Sequence, residues 1–178
     1  MNQNDSIVLA AGCFWCVEAI YSNIQGVVKV EPGYTGGLIP NPTYKEVCSG
    51  KTGHAEVVRI VFNPNKIHLS ELLAVFFATH DPTTLNRQGG DVGTQYRSAI
   101  FPSSSLQKDL AEKAIAIASE SGEWNNKIVT TIEELKEFYL AENYHHNYYA
   151  ENEEAPYCSS VIAPKLQKFK KNFQNLLK

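Results

Sequence analysis

The 178-residue sequence has no block of basic residues, no apolar run approaching membrane-spanning length, no internal repeat and no low-complexity tract. Its 16 Lys and Arg are set against 19 Asp and Glu, a formal charge of −3. A charge of that sign and spread gives no footprint for nucleic acid, and the missing apolar run gives none for a membrane. The polar start, Met1-Asn2-Gln3-Asn4-Asp5, lacks the apolar stretch of a signal peptide, so a cytoplasmic protein is expected. Cysteine is scarce too. Four cysteines are too few for a disulfide framework in a chain this long; in a reducing compartment they mean redox chemistry, a metal site or nothing.

What is present is apolar content of 43%, enough for one domain over residues 1–178 with a sizeable core and short for two. The stretch that organises the chain is SIVLAAGCFWCVE, Ser6 to Glu18. Ile7, Val8, Leu9, Ala10 and Ala11 form an apolar run of strand length that ends at Gly12. Cys13, Cys16, Val17, Ile20 and Ile24 then recur at three- and four-residue spacing, as on one face of a helix. Cys13 therefore stands where a strand ends and a helix begins. Unpaired N–H groups there favour a thiolate and predict a Cys13 pKa lowered from about 8.5 toward neutrality. A buried structural cysteine is the plainer alternative. The aromatic pair Phe14-Trp15 favours a reactive one, because two large rings at a helix mouth are costly unless they line something apolar.

Further along, Val27, Val28 and Val30 read as a strand closing at Pro32-Gly33. The glycines and prolines of Tyr34 to Gly53 predict a long loop, of a length that is usually functional. His54 to Phe62 reads as a strand in the same sheet as Ile7–Ala11, with Glu56 near its start. Two readings of Glu56 stand level: a buried acid with a raised pKa, or an exposed carboxylate paired with Arg59 or Lys51. Leu69 to Thr79 is a helix with Ser70 as N-cap. Thr83 to Gln95 is irregular, and Ala99 to Phe101 is a short strand. Ser103 to Ser121 is an amphipathic helix with Leu106, Leu110, Ala114 and Ile117 on its apolar face, stopped by Gly122. Lys127 to Ile132 is a last strand. Phe138 to Tyr149 is an aromatic stretch, with adjacent His145 and His146 poorly spaced for metal binding. Residues 159–178 read as a basic C-terminal tail, helical from Ala163. The order predicts an α+β fold: a central mixed β-sheet packed by helices, with long functional loops on one side.

Gly12-Cys13-Phe14-Trp15 with Val17-Glu18 resembles the signature of the A-type peptide methionine sulfoxide reductases. Gly33-Tyr34-Thr35-Gly36-Gly37, Asn41-Pro42-Thr43-Tyr44, Gly53-His54-Ala55-Glu56, His80-Asp81-Pro82-Thr83, Gly93-Thr94-Gln95-Tyr96-Arg97-Ser98, and Glu142 with His145 are similar to further motifs of that family, in family order. Together they cover most of the chain, and several motifs in register make chance agreement improbable. The resemblance implies reduction of the S epimer of methionine sulfoxide, free or in oxidised proteins. It implies no bound cofactor or metal, with thioredoxin (dithiothreitol in vitro) as reductant; a monomer is expected. Residue by residue it implies Cys13 as nucleophile and Glu56, Tyr44 and Tyr96 around the sulfoxide oxygen. Phe14 and Trp15 would hold the methyl group, with Asp91 and His145 nearby. A sulfoxide oxygen leaves only when protonated, so a carboxylic acid flanked by neutral donors suits the chemistry. The product would be a sulfenic acid on Cys13, converted by a second thiol to a disulfide.

Two departures bear on that second thiol. Cys16 stands where many relatives have glycine, and Cys158 is a single C-terminal cysteine where some have two. Cys158 matches the family's resolving position and follows Pro156 in a segment expected to move, which places it first. Cys16 competes through its Cys-X-X-Cys spacing. Cys48 is expected to be structural. Two rivals from other classes remain: a thioredoxin-like dithiol carrier built on Cys13-Phe14-Trp15-Cys16, which needs no Glu56, and a metal module using all four cysteines, weakly supported by one Cys-X-X-Cys.

Overall fold

A computed structural model describes residues 3–178; Met1 and Asn2, the first two residues of the polar start, lie outside the described residues. Six strands form one sheet: β1 (Asp5–Ala11), β2 (Val27–Thr35), β3 (Ala55–Phe62), β6 (Ser98–Phe101), β7 (Thr131–Ile132) and β8 (Tyr139–Leu140). Their spatial order is β7-β6-β1-β3-β2-β8. All neighbours run antiparallel except β6 and β7, so the sheet is mixed, as expected of the α+β class. The remaining strands, β4 (Arg87–Gln88) and β5 (Asp91–Val92), form a separate hairpin.

The uninterrupted apolar run of β1 is explained by burial on both faces. Ile7, Leu9 and Ala11 join Val58, Ile60 and Ile100 in the main core. Val8 and Ala10 face the other way, onto Ala55, Val57, Ala99 and Phe101, where Leu135 and Phe138 pack over them. The main core is closed by α1 (Phe14–Tyr21), α3 (Leu69–Thr79), α4 (Ser105–Glu120) and α6 (Ala163–Asn172).

Several elements depart from the sequence reading for local physical reasons. α1 is shorter than the spacing suggests and is buried nearly all round, so its apolar residues define no single face. The loop after β2 contains a five-residue helix, α2 (Tyr44–Cys48), because Thr43 and Glu46 form a capping box. His68, not Ser70, stands at the N-cap of α3, its N–H donating to Oε2 of Glu71 at 2.9 Å. On α4 the buried positions are Gln107, Ala111 and Ala118, while Leu106 and Ile117 are more than half exposed. The stretch read as a strand from Lys127 pairs only at Thr131 and Ile132. The C-terminal residues are no detached tail: Leu166 and Phe169 belong to the core, and α6 ends at Asn172. Nor is Cys158 in an irregular segment. It opens a π-helical turn, Cys158–Ile162, that runs directly into α6.

Candidate active site

β1 delivers the chain to Gly12, whose φ of +86° suits glycine and whose missing side chain lets Gln88 pack close: an added Cβ would lie 2.7 Å from that side chain. Cys13 follows as N-cap of α1, still outside the helix at φ −56°, ψ 123°. The next residue's backbone N–H, on Phe14, donates to Oε1 of Glu56 at 3.2 Å. The bond joins the ends of two elements set by adjacent central strands, β1 and β3, so the sheet fixes the distance between nucleophile and acid.

Glu56 is 1% exposed, which settles its two readings in favour of the buried acid. Burial pushes its pKa up to about 8, with Asp91 and Cys16 adding to the rise and the Phe14 N–H opposing it. Oε2 is buried with no hydrogen-bond partner among the described residues. At neutral pH Glu56 is thus a carboxylic acid with one oxygen anchored and the other available to donate.

The expected lowering of Cys13 is not found. Burial first, then the Cys16 side chain and the charge of Glu56, raise its pKa, while the backbone at Trp15 opposes. The helix N-terminus is not idle; its first N–H is committed to Glu56. It is Cys16 that is lowered, to about 7, chiefly because Cys13 hydrogen-bonds to it. The two thiols of the pair are thus shifted in opposite directions, Cys13 up and Cys16 down.

Tyr44 opens α2 and Tyr96 ends a 3₁₀ turn, Thr94–Tyr96. Both are half-buried. Burial, then the charge of Glu56, raises both phenols above their ordinary value, so both stay neutral donors. Phe14, 1% exposed, lies behind the site. Trp15 presents the half-buried wall, stacked on Tyr148 with ring centroids 3.8 Å apart and planes 9° from parallel. Trp15 Nε1 donates to Nδ1 of His145 at 3.0 Å. His145 is fully buried, and burial lowers its pKa to about 4. It therefore supports Trp15 as a neutral acceptor through Nδ1, while its Nε2 is buried with no hydrogen-bond partner among the described residues.

Asp91, on β5, accepts the hydroxyl of Tyr157 at 2.8 Å, and that hydroxyl lies 3.8 Å from Cys16 Sγ. Cys13, Cys16 and Cys158 pack in one cluster with Ile162, beneath Trp15 and Tyr157. Cys158 is wholly covered. Cys48 is exposed at the end of α2 and outside that cluster, which breaks up the four-cysteine set a metal module would need. Tyr148, Tyr157 and Gln95 were given no role by the sequence reading. Tyr157 had a signal in its place beside Cys158 and Gln95 in its motif beside Tyr96; Tyr148 looks like an ordinary packing residue until the fold brings it to the site.

The sequence pattern of the peptide methionine sulfoxide reductases matches residues 5–177. The chain belongs to the peptide methionine sulfoxide reductase family. It is 55% identical over 169 residues to "Peptide methionine sulfoxide reductase MsrA" of Trichodesmium erythraeum, covering 95% of this chain and 96% of the relative. It is 53% identical over 165 residues to the protein of that name from Sulfolobus acidocaldarius, covering 93% of each. Among solved structures, Mxr1 of Saccharomyces cerevisiae in reduced form is similar with a TM-score of 0.78 at 41% identity, over 88% of this chain and 90% of the other. Mxr1 in complex with Trx2 is similar at a TM-score of 0.54 and 31% identity, over 82% of this chain and 85% of that one. Members of this family reduce methionine sulfoxide, and the α+β fold expected of this reductase is the one observed.

Proposed function

We propose that this reductase acts on the S epimer of methionine sulfoxide, free and in oxidised proteins, by attack of Cys13 on the sulfoxide sulfur. The observation that carries the mechanism is Glu56, held by the Phe14 N–H through one oxygen and unpartnered at the other. The substrate's methyl group packs on Trp15, over Phe14, and its oxygen points to Glu56, Tyr44 and Tyr96. Protonated Glu56 has two effects. It gives the leaving oxygen its proton, and while neutral it no longer opposes charge on Cys13. Cys13 Sγ bonds to the sulfoxide sulfur as its proton and that of Glu56 pass to the oxygen, and the S–O bond breaks with release of water. Water then attacks Cys13 Sγ, the bond between the two sulfurs breaks with its electron pair going to methionine, a proton returns to Glu56, and Cys13 is left as a sulfenic acid.

Cys16 then attacks the sulfenic sulfur, forming a Cys13–Cys16 disulfide and releasing water. Three features support Cys16 ahead of Cys158 for this step. It packs in the same buried cluster as Cys13, its thiol is shifted down while that of Cys13 is shifted up, and Cys13 lies outside the helix where its backbone can adjust. Cys158, packed against the same pair, can next attack Cys16 Sγ, freeing Cys13 and leaving a Cys16–Cys158 disulfide for an external dithiol. The complex of Mxr1 with Trx2 supports thioredoxin in that role. A cytoplasmic setting agrees with four free thiols, and one chain supplies every group of the site, as a monomer would. Among the described residues no helix is long and apolar enough to cross a membrane. A plain dithiol carrier gives Glu56 and the two tyrosines nothing to do.

Single-turnover reduction of separated L-methionine sulfoxide epimers tests the reading. One methionine should form from the S epimer with loss of two free thiols, and none from the R epimer. Equal turnover of both, or of neither, would overturn it.

A further inference from the structure

Glu142 lies apart from the reacting atoms, yet both its carboxylate oxygens are spent on the wall of the site. Oε2 accepts the backbone N–H of Tyr44 at 3.0 Å, and Oε1 accepts the hydroxyl of Tyr34 at 2.9 Å. Its backbone carbonyl takes the N–H of His145 at 3.0 Å, and His145 holds Trp15. The two side-chain partners differ in kind. Tyr34 is fully buried near the end of β2, paired with Glu56 on one side and Tyr139 on the other. It belongs to the rigid sheet. Tyr44 is the first residue of a five-residue helix in a long loop.

The first N–H groups of a helix have no partner within it. In α2 the capping box satisfies the N–H of Glu46 and that of Thr43. The N–H groups of Tyr44 and Lys45 are left by the box, and Glu142 takes that of Tyr44. A charged acceptor makes this bond stronger than a neutral one would. So the backbone at Tyr44 is referred, through a single carboxylate, to the sheet that also carries Glu56.

We propose that Glu142 is the positioning residue that aims the Tyr44 hydroxyl at the substrate oxygen, and that its contribution to the rate passes through that hydroxyl. This rests on Tyr44 being a donor in the reaction. Tyr96 brings a second hydroxyl to the same oxygen and can cover for a misplaced Tyr44. The experiment therefore compares Glu142→Gln in two backgrounds. Gln keeps the size of the side chain but can accept from only one of the two donors.

With Tyr96→Phe, Tyr44 is the remaining tyrosine donor, and adding Glu142→Gln should lower the single-turnover rate constant by on the order of 10-fold, with half-saturation moved less than two-fold. With Tyr44→Phe, Tyr96 remains, and the same substitution should change the rate constant less than two-fold. A brace with a merely structural role would cost the same in both, and that result would overturn the proposal, as would no effect in either. If the Glu142→Gln proteins do not fold, Tyr34→Phe, which removes only the anchor hydroxyl, takes its place in the same comparison. An unimpaired Tyr44→Phe/Tyr96→Phe double variant would instead remove the tyrosines from the mechanism, and the proposal with them.

Discussion

Two parts of the site are built in different ways. Cys13 and Glu56 are set by adjacent central strands: β1 and β3 pair along Asp5↔Phe62 to Leu9↔Val58, Glu56 lies within β3, and Cys13 stands two residues beyond the end of β1. Tyr44, Tyr96, Asp91 and Tyr157 sit on a five-residue helix, a 3₁₀ turn, a two-residue strand and the residue before a π-turn. Each of these is tied to the rest by one or two side-chain hydrogen bonds. The bond-breaking pair is thus fixed by cooperative structure, and the groups that recognise and recycle are placed by replaceable contacts. Substitutions in the first part should abolish chemistry; those in the second should tune it.

The largest effect is expected at Cys13. Cys13→Ser replaces a thiol with a far less acidic and less nucleophilic alcohol and should give no methionine in a single turnover. Glu56→Gln comes next. The amide oxygen can still accept the Phe14 N–H, but no acid proton remains, so the rate constant should fall by on the order of 10²-fold. In the unsubstituted enzyme the sulfoxide step should lose rate as pH rises through about 8, where Glu56 ionises. The variant should lack that limb.

The stability linkage of Glu56 has the opposite sign to that of an ion-paired carboxylate. Its folded pKa lies above its unfolded one, so the native state holds a proton that the unfolded chain releases, and folding loses stability as pH climbs from about 4.5 toward 8. Removing the acid should therefore raise thermal stability at pH 7, by as much as about 3 kcal/mol. Melting of the enzyme and Glu56→Gln between pH 5 and 8 measures this directly. A difference that shrinks with rising pH would contradict the buried acid.

The division between the two parts also decided what could be read in the sequence. The apolar run of β1, the glycine at its end and the aromatic pair after Cys13 fix the strand-to-helix junction by local pattern alone. The bounds of α3, though not its N-cap, are likewise legible, because its apolar spacing and its stop at His80-Asp81-Pro82 are both local. Burial of Glu56 was not decidable, since it depends on which strands flank β3. The raised pKa of Cys13 was hidden for a related reason: it comes first from burial, which the fold decides, and the Phe14 N–H at the helix start is spent on Glu56, 42 positions further along the chain. The capping box of α2 was present as Thr43 and Glu46, but the surrounding glycines and prolines outweighed it.

Recycling gives the next smaller effect, because the first turnover does not need it. Cys16→Ser should leave the first sulfoxide reduction within a few-fold and accumulate a sulfenic acid that dimedone traps. Thioredoxin-driven cycling should slow at least 10-fold. Cys158→Ser should keep the Cys13–Cys16 disulfide and slow only its reduction. Peptide mapping after one turnover decides the order; a Cys13–Cys158 bridge formed directly would return Cys158 to first place.

The smallest expected effect is at Gln95, between the two tyrosines. Its side chain is 4% exposed, and its Nε2 donates to the carbonyl of Cys48 at 3.3 Å, tying the end of α2 to the turn that carries Tyr96. Its Oε1 is buried with no partner among the described residues. One half of the amide thus makes a long bond and the other half costs desolvation, so the side chain as a whole adds little to stability. Gln95→Leu removes the bond and the unpartnered oxygen together, and the two changes offset. Unfolding free energy should move by less than about 1 kcal/mol. The turn is then held to α2 by packing alone. The single-turnover rate constant should fall about 3-fold, a loss of alignment far short of a lost donor. A melting temperature that drops sharply while the rate constant holds would show that Gln95 serves the fold, and that the loop-borne wall is aligned without it.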